Sequence, residues 1–410
     1  VTSNRPIRDE RCRGGEILVT GGTGFIGSHL TADLLRRGRR VIAIARRSAS
    51  ASAAERIARL LEWFASTSEE RSRLTVLEGR LDDPDLGLDP PRREDIARRV
   101  GEIVHCASDT SFSERKRNQV EQANVANAEN VLAFAARSRC SFFHHVSTAY
   151  VAGTRSGPCE EELVETGSFT NVYEETKCRG ERAVRAGCRR EGIGLAIYRP
   201  SIVYGDSKTG RTLRFDAVYY PVKAVLFFKE TYERDIRERG GAKAREMGVT
   251  IDGEGRLRLP LRVETTCAGG VNLVPIDYFV ASFVAIMEGR HDGGIFHIVN
   301  DRLVTIETLA EYTRRFFGVE GIRAVPSEAF AGAPKNALEK LFDRFAEAYG
   351  PYMKDTRVFE NGRTAAILAT RGIICPDFDY ETFSRCMRYA VEAAWGARLF
   401  GGPAPSAGSG

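Results

Sequence analysis

The sequence predicts a doubly wound α/β fold, a parallel sheet covered by helices on both faces. Three observations predict it. From Glu16 onward short apolar runs alternate with amphipathic segments, the runs are apolar on both faces, and a glycine-rich turn joins the first run to the first helix. The runs are "EILVT", "VIAIA", "LTVLE", "EIVHC", "SFFHHVS" and "GLAIYRP". Between them the pattern predicts helices over about 25–37, 53–65, 116–137 and 173–190. After about Gly205 the rhythm changes to an aromatic segment, "RFDAVYYPVKAVLFFKETYERDIRERGG", and a hairpin candidate, "IDGEGRLRLPL". The stretch "VNLVPIDYFVASFVAIMEGRHDGGIFHIVN" returns to strand–helix–strand, and 303–400 reads as mostly helical. We therefore expect a dinucleotide-binding domain over 16–205, rejoined by 271–300. A smaller, mostly helical substrate lobe is expected from 206–270 and 301–400.

The totals narrow the function. A chain of 410 residues, 42% hydrophobic, can bury a sizeable core. Its net charge is +5, carried by scattered arginines without a long basic run, which argues against nucleic acid and for a small anionic ligand. No stretch approaches 18 uncharged apolar residues, so no transmembrane span is expected. Nine cysteines, none spaced C-x-x-C, argue against a zinc site or a disulfide framework and for a reducing cytoplasm. Residues 1–15 hold charges but no apolar core of a signal peptide. They and 401–410 are expected to be loose tails.

In "VTGGTGFIGSHL" the glycines have separate tasks. Gly21 permits the tight turn, Gly24 lets the backbone approach a pyrophosphate, and Gly27 lets the helix pack closely on the strand. Thr23, Phe25 and Ile26 complete the expected cofactor loop, which marks the fold as Rossmann-type. The second strand ends in Ala45-Arg46-Arg47 where an NAD site would carry an acidic residue for the ribose. A guanidinium grips a 2′-phosphate and a carboxylate repels it. Arg46, with Arg56 from the next helix, thus points to NADPH, with NADH as the second choice.

Three tyrosines have a lysine four places on: Tyr173/Lys177, Tyr204/Lys208 and Tyr219/Lys223. About 0.3 such pairs would arise by chance, so the motif must be sorted by context. Tyr173 and Lys177 fall at the start of an amphipathic helix, where i and i+4 share a face. Tyr204/Lys208 lies in a glycine-bearing turn. Pro221 belongs in the first turn of a helix, which puts Tyr219 outside the helix that holds Lys223. Ser147 and Thr148 end a strand at the sheet edge where open α/β folds bind ligands, and a hydroxyl there can hold a carbonyl oxygen. A tyrosine beside an ammonium and an oxidised nicotinamide becomes a usable acid. The adjacent His144 and His145 point to opposite faces and read as packing residues. No metal site is expected.

"HCASDTSF", "HVSTAYVAG", "YEETKCRGE", "YRPSIVYGD" and "VNLVPIDYF" together resemble the extended short-chain dehydrogenases/reductases. Within them the chain is most similar to the branch of fatty acyl-CoA reductases and of terminal thioester reductase domains of nonribosomal peptide synthetases and carboxylic acid reductases. The resemblance covers about 16–300, with a fainter echo near "FENGRTAAIL". It implies Thr148, Tyr173 and Lys177 as the catalytic set, with Lys177 also on the nicotinamide ribose. It places Gly21, Gly24, Gly27 and Arg46 on the cofactor, Ala107 and Ser108 on the nicotinamide side, and Pro200 at the start of the loop beside it. Phe112, Tyr150, Phe215 and Tyr219 are the expected substrate contacts. One departure is "GRL" after the third strand, where the branch often has Gly-Asp-Leu: either Asp82 substitutes or the adenine end binds differently.

The expected activity is reduction of a hydrophobic carbonyl, foremost an acyl thioester on coenzyme A or on a carrier protein acting in trans, to an aldehyde or alcohol. A ketone or aldehyde reductase is the alternative. A sugar-nucleotide epimerase or dehydratase and a cofactor-sensing protein without turnover stand further back.

Overall fold

A computed structural model of the chain describes residues 15–266, 269–289 and 291–400. The expected tails, Cys12 and Cys267 lie outside or almost wholly outside these. The chain divides into two compact units: 1–201, 276–299 and 359–374 form the first, and 202–275, 300–358 and 375–410 the second.

In the first unit the apolar runs become strands. β1 (Glu16–Thr20) leads into α1 (Phe25–Arg36), β2 (Val41–Ala45), α2 (Ala53–Trp63) and β3 (Leu74–Glu78). Then come α3 (Pro90–Arg99), β4 (Val100–His105), α4 (Asn127–Arg137), β5 (Phe142–Val146), α5 (Val172–Glu191) and β6 (Gly194–Pro200). After the excursion through the second unit the chain returns as α6 (Ile276–Gly289) and β7 (Gly294–Ile298). The seven strands lie in the order β7-β6-β5-β4-β1-β2-β3, with every pairing parallel. The order reverses between β1 and β4, the switch point at which doubly wound sheets bind ligands. Leu18, Ile42, Ile103, Phe143, Leu195 and Ile197 face one layer of the core, against Val131, Phe134 and Val184 of the covering helices.

Local signals set the ends of these helices. Ser52 and Glu55 form a capping box at α2, Asp89 caps α3 with prolines in its first turn, and Asn171 accepts the Glu174 N–H at the start of α5. Gly192 closes α5 in the left-handed conformation. The segment 359–374 joins this unit through Glu161. This buried carboxylate accepts the backbone N–H groups of His297 (2.8 Å) and Arg363 (2.7 Å) and holds the start of the helix Gly362–Ala369.

The second unit is mostly helical, as expected, and it also carries a three-stranded sheet. Leu257–Thr265 pairs antiparallel with Thr250–Ile251, as the hairpin signal predicts, but on its other edge it pairs parallel with Val319–Pro326. That last strand lies within the stretch read as helical. Its buried residues, Val319, Ile322 and Val325, fall three apart instead of alternating, with Glu320, Gly321 and Arg323 between them, so no period of two marks it as a strand. The helix Tyr219–Arg239 includes Tyr219, contrary to the expectation from Pro221, because a proline is tolerated anywhere in the first turn, where N–H groups lack helical partners. The Tyr219 hydroxyl then accepts the Gly205 N–H at 3.0 Å, while Lys223 lies over the Trp395 ring. The two side chains face different partners and share no site. Lys208 sits in a turn closed by Asp206.

This unit holds an apolar pocket of about 90 Å³, lined among others by Val222, Val225, Leu261, Ile306, Leu309 and Phe342. Its polar lining groups have partners within the unit: the Thr313 hydroxyl donates to the Leu309 carbonyl (2.6 Å) and the Tyr349 hydroxyl accepts the Ala217 N–H (3.2 Å). Of the expected substrate contacts, Tyr219 is buried in this unit's core and Phe215 packs between Tyr219 and Tyr389.

Candidate active site

The glycine turn is fixed by backbone geometry. Gly21 has φ +71°, the Gly24 N–H donates to its carbonyl at 2.8 Å, and a Cβ on Gly21 would stand 2.6 Å from the Ala107 nitrogen. A Cβ on Gly27 would stand 2.3 Å from the Gly21 oxygen. The loop after β1 is thus pressed against the loop after β4 on one side and against the first turn of α1 on the other. Phe25 packs edge-on against His29, and Ile26 is half-buried at the start of α1.

At the end of β2 the arginines take different parts. Arg47 donates to Glu78 at 3.0 Å, whereas the exposed Arg46 guanidinium has no ion-pair partner among the described residues. Arg56 donates to the Arg46 carbonyl (2.7 Å) and to the Thr23 hydroxyl (3.2 Å), so it ties the glycine loop to the strand end that carries Arg46. Arg80 and Asp82 are engaged with each other in a forked pair, 3.1 Å on both prongs. The residues fit an NAD(P)-type cofactor: a close-approach glycine loop that opens into a helix N-terminus.

Thr148 and Lys177 both lie at the C-terminal end of β5, and Thr148 also reaches the end of β6. Thr148, 4% exposed, donates to the Pro200 carbonyl at 3.4 Å and accepts the Tyr150 N–H at 3.3 Å. Lys177, 3% exposed, donates from Nζ to the Val146 carbonyl at 2.7 Å, which pins the start of α5 to the end of β5. Burial lowers the Lys177 ammonium to about 8, with Glu181 and Cys106 opposing the shift. Tyr173, half-exposed, stands one turn earlier with its ring tilted against Phe112, 5.9 Å between centroids. Tyr150 is buried edge-on to Phe359.

Ala107 follows β4 beside the glycine turn, and the exposed Ser108 donates to Asn124 Oδ1 at 3.0 Å. Asn124 also accepts the Asp109 N–H (2.8 Å) and donates to the Thr176 hydroxyl (3.0 Å), tying the loop after β4 to α5. It lies in a π-helical turn, Gln122–Ala126, the kind of helix irregularity that recurs at functional sites. Nothing in the sequence singles out Asn124, since 116–137 reads there as one regular helix. Nor does the sequence mark His105, which is buried, held by Thr20 (2.8 Å), and lowered to about 3 by burial. His144 and His145 do split between faces; His144 bonds Tyr198 (2.8 Å) and Glu102 (3.1 Å). Among the described residues no cluster of His, Cys, Asp or Glu could hold a metal, and no helix is long and apolar enough to cross a membrane.

A seven-stranded parallel sheet with a glycine-rich first turn, a strand-end threonine and a Tyr-x-x-x-Lys helix defines an extended short-chain dehydrogenase/reductase with an NAD(P)-binding domain. More particularly, residues 19–282 match the NAD-binding family described as "Male sterility protein", and the chain belongs to it. It is 24% identical over 406 residues to a component of the linear gramicidin synthase of Brevibacillus parabrevis, covering 95% of this chain and 7% of that one. It is 29% identical over 231 residues to fatty acyl-CoA reductase 1 of Mus musculus, covering 47% of this chain and 44% of that one. The chain therefore spans less than half the length of these two relatives. Among solved structures it resembles the terminal R domain from the myxalamid PKS-NRPS biosynthetic pathway, with TM-score 0.73 and 24% identity over 96% of this chain and 92% of that one.

Proposed function

We propose that this chain is an NADPH-dependent reductase of an acyl thioester with an apolar acyl group, presented on coenzyme A or a carrier protein, in a reducing cytoplasm. The observation that carries the reading is Lys177, buried at the start of α5 one turn after Tyr173 and anchored on the Val146 carbonyl two residues before Thr148. The unpartnered Arg46 supports NADPH over NADH. The relatives named for peptide synthesis and for fatty acyl-CoA reduction support the thioester.

When bound on the glycine loop, the cofactor supplies the hydride. Thr148 releases its long bond to Pro200 and donates to the carbonyl oxygen of the substrate. Tyr173 donates to the same oxygen and gives up its proton as the carbonyl carbon becomes tetrahedral. Lys177 stays charged and compensates the negative charge left on the tyrosine oxygen. With a thioester the product is a hemithioacetal, whose C–S bond then breaks to give an aldehyde and a free thiol.

The test follows NADPH oxidation with acyl-CoAs, the matching aldehydes and matched ketones. Thiol release in step with NADPH loss is the expected result. Activity confined to ketones would leave the trio in place and make the chain a ketone reductase.

A further inference from the structure

The catalytic lysine is set over a row of polar side chains that the mechanism does not use. Across three adjacent strands the register pairs Thr20 with His105 and His105 with His145, while the row two residues earlier, Leu18, Ile103 and Phe143, is wholly apolar. Alternation in a strand puts both rows on the same face. Both imidazoles are 1% exposed, and their rings lie nearly parallel at 12°, with centroids 5.5 Å apart. His105 is satisfied by Thr20 through Nδ1. His145 is not: neither ring nitrogen has a partner, and the same holds for the buried hydroxyl of Ser147, the next residue on its face. Val146, between the two, supplies the carbonyl that Lys177 holds.

A buried imidazole without partners destabilises the fold relative to an apolar ring of the same size, so its place in the row needs a reason. Lys177 offers one. An ammonium has three donors, and one is engaged by Val146. Two orphaned buried groups that flank an ammonium's anchor make a polar site of the kind that holds an ordered water with 2–4 partners.

We propose that His145 is a positioning residue for Lys177: with the Ser147 hydroxyl it holds one buried water against the lysine ammonium, fixing its aim and keeping it cationic. The His105 ring backs the His145 ring, and Thr20 fixes the His105 tautomer. Burial and the Lys177 charge hold both imidazoles far below their ordinary range, so they serve as neutral acceptors and do not carry charge themselves. The other groups facing Lys177 are the Cys106 thiol, pushed up to about 12 and so uncharged, and Glu181. Glu181 is already neutralised by its forked pair with Arg199 at 2.9 and 2.7 Å. His145 is thereby left as the group whose loss Lys177 would register.

The inference rests on Lys177 as the lysine of the catalytic trio, and its test does not depend on turnover. Full-length protein labelled with 13C at lysine Cε is titrated by NMR. The chain has nine lysines, and the Lys177 signal is identified by its loss in Lys177→Met. His145→Phe keeps the ring stack and removes the acceptor; it should lower the Lys177 midpoint by about one unit, roughly a tenfold change in proton affinity. His145→Gln, which restores an acceptor, should bring the midpoint back, and His145→Leu covers the case in which Phe does not fold. An unmoved midpoint in Phe or Leu, or no recovery in Gln, overturns the proposal while leaving the reductase reading intact. Absence of any NADPH-linked turnover overturns that reading and leaves the lysine result standing.

Discussion

Tyr173 and Lys177 are one of three pairs with the same spacing, and only their surroundings set them apart. Helix α5 starts at Val172, so both side chains leave one face of its first two turns, and Lys177 is buried where Lys208 lies in a turn and Lys223 sits over Trp395. Tyr173→Phe should cut kcat by about 10²-fold or more, the contribution expected of an acid catalyst, with cofactor affinity and melting temperature little changed. Tyr204→Phe and Tyr219→Phe should keep their activity. Burial lowers the Lys177 ammonium to about 8, and in the proposed mechanism it acts as the cation, so kcat should fall as pH rises through about 8. The stability effect has the opposite sign. Lys177 binds its proton less tightly folded than unfolded, so below about 8 the buried charge destabilises the fold, and the cost is relieved as pH rises from about 8 toward the unfolded value. Cofactor-free Lys177→Met should therefore melt higher at pH 7 and lose that advantage near pH 10, measured by thermal denaturation. Arg46→Ala should weaken NADPH about ten- to hundredfold and leave NADH nearly unchanged, the loss of a charge-assisted pair of about 1.5–3 kcal/mol. Fluorescence titration with both cofactors checks it.

Elements carry the cofactor loop and the features hidden from a linear reading alike. The turn between β1 and α1 works because neither Gly21 nor Gly27 has a side chain, and this need was readable from their spacing after an apolar run. Gly27→Ala would push a methyl against the Gly21 carbonyl, a backbone atom that cannot move aside cheaply. It should cost about 1–3 kcal/mol of stability and abolish NADPH binding, seen in urea unfolding and in the same titration. The π-helical turn at Asn124 was not readable, since its sequence has the same periodicity as the α-helix on either side. The strand Val319–Pro326 escaped for another reason. It is specified by its parallel neighbour Leu257–Thr265, some sixty residues away, more than by its own composition.

At the scale of the whole molecule the chain divides its labour between two units, and each is stitched from distant segments. Thr148, Tyr173 and Lys177 lie in the first, and the second has its own apolar pocket, in which the Thr313 and Tyr349 hydroxyls are spent on neighbours in the same unit. Such a cavity gains from an alkyl chain and has little to offer a sugar. The sequence by itself determined the parallel sheet, the glycine turn after β1, the arginine at the end of β2, and the places of Thr148 after a strand and of Tyr173 and Lys177 at the start of a helix. These depend on periodicities of two and 3.6 and on residues a few places apart, which a linear reading can see. Only the tertiary structure decided what surrounds them. The polar row of Thr20, His105 and His145 exists because strand register aligns residues 85 and 40 positions apart. The segment 359–374 rejoins the first unit because Glu161, some two hundred residues earlier, accepts its N–H groups. Non-local pairing of this kind leaves no local pattern, because its energy comes from partners brought together only when the sheet has formed.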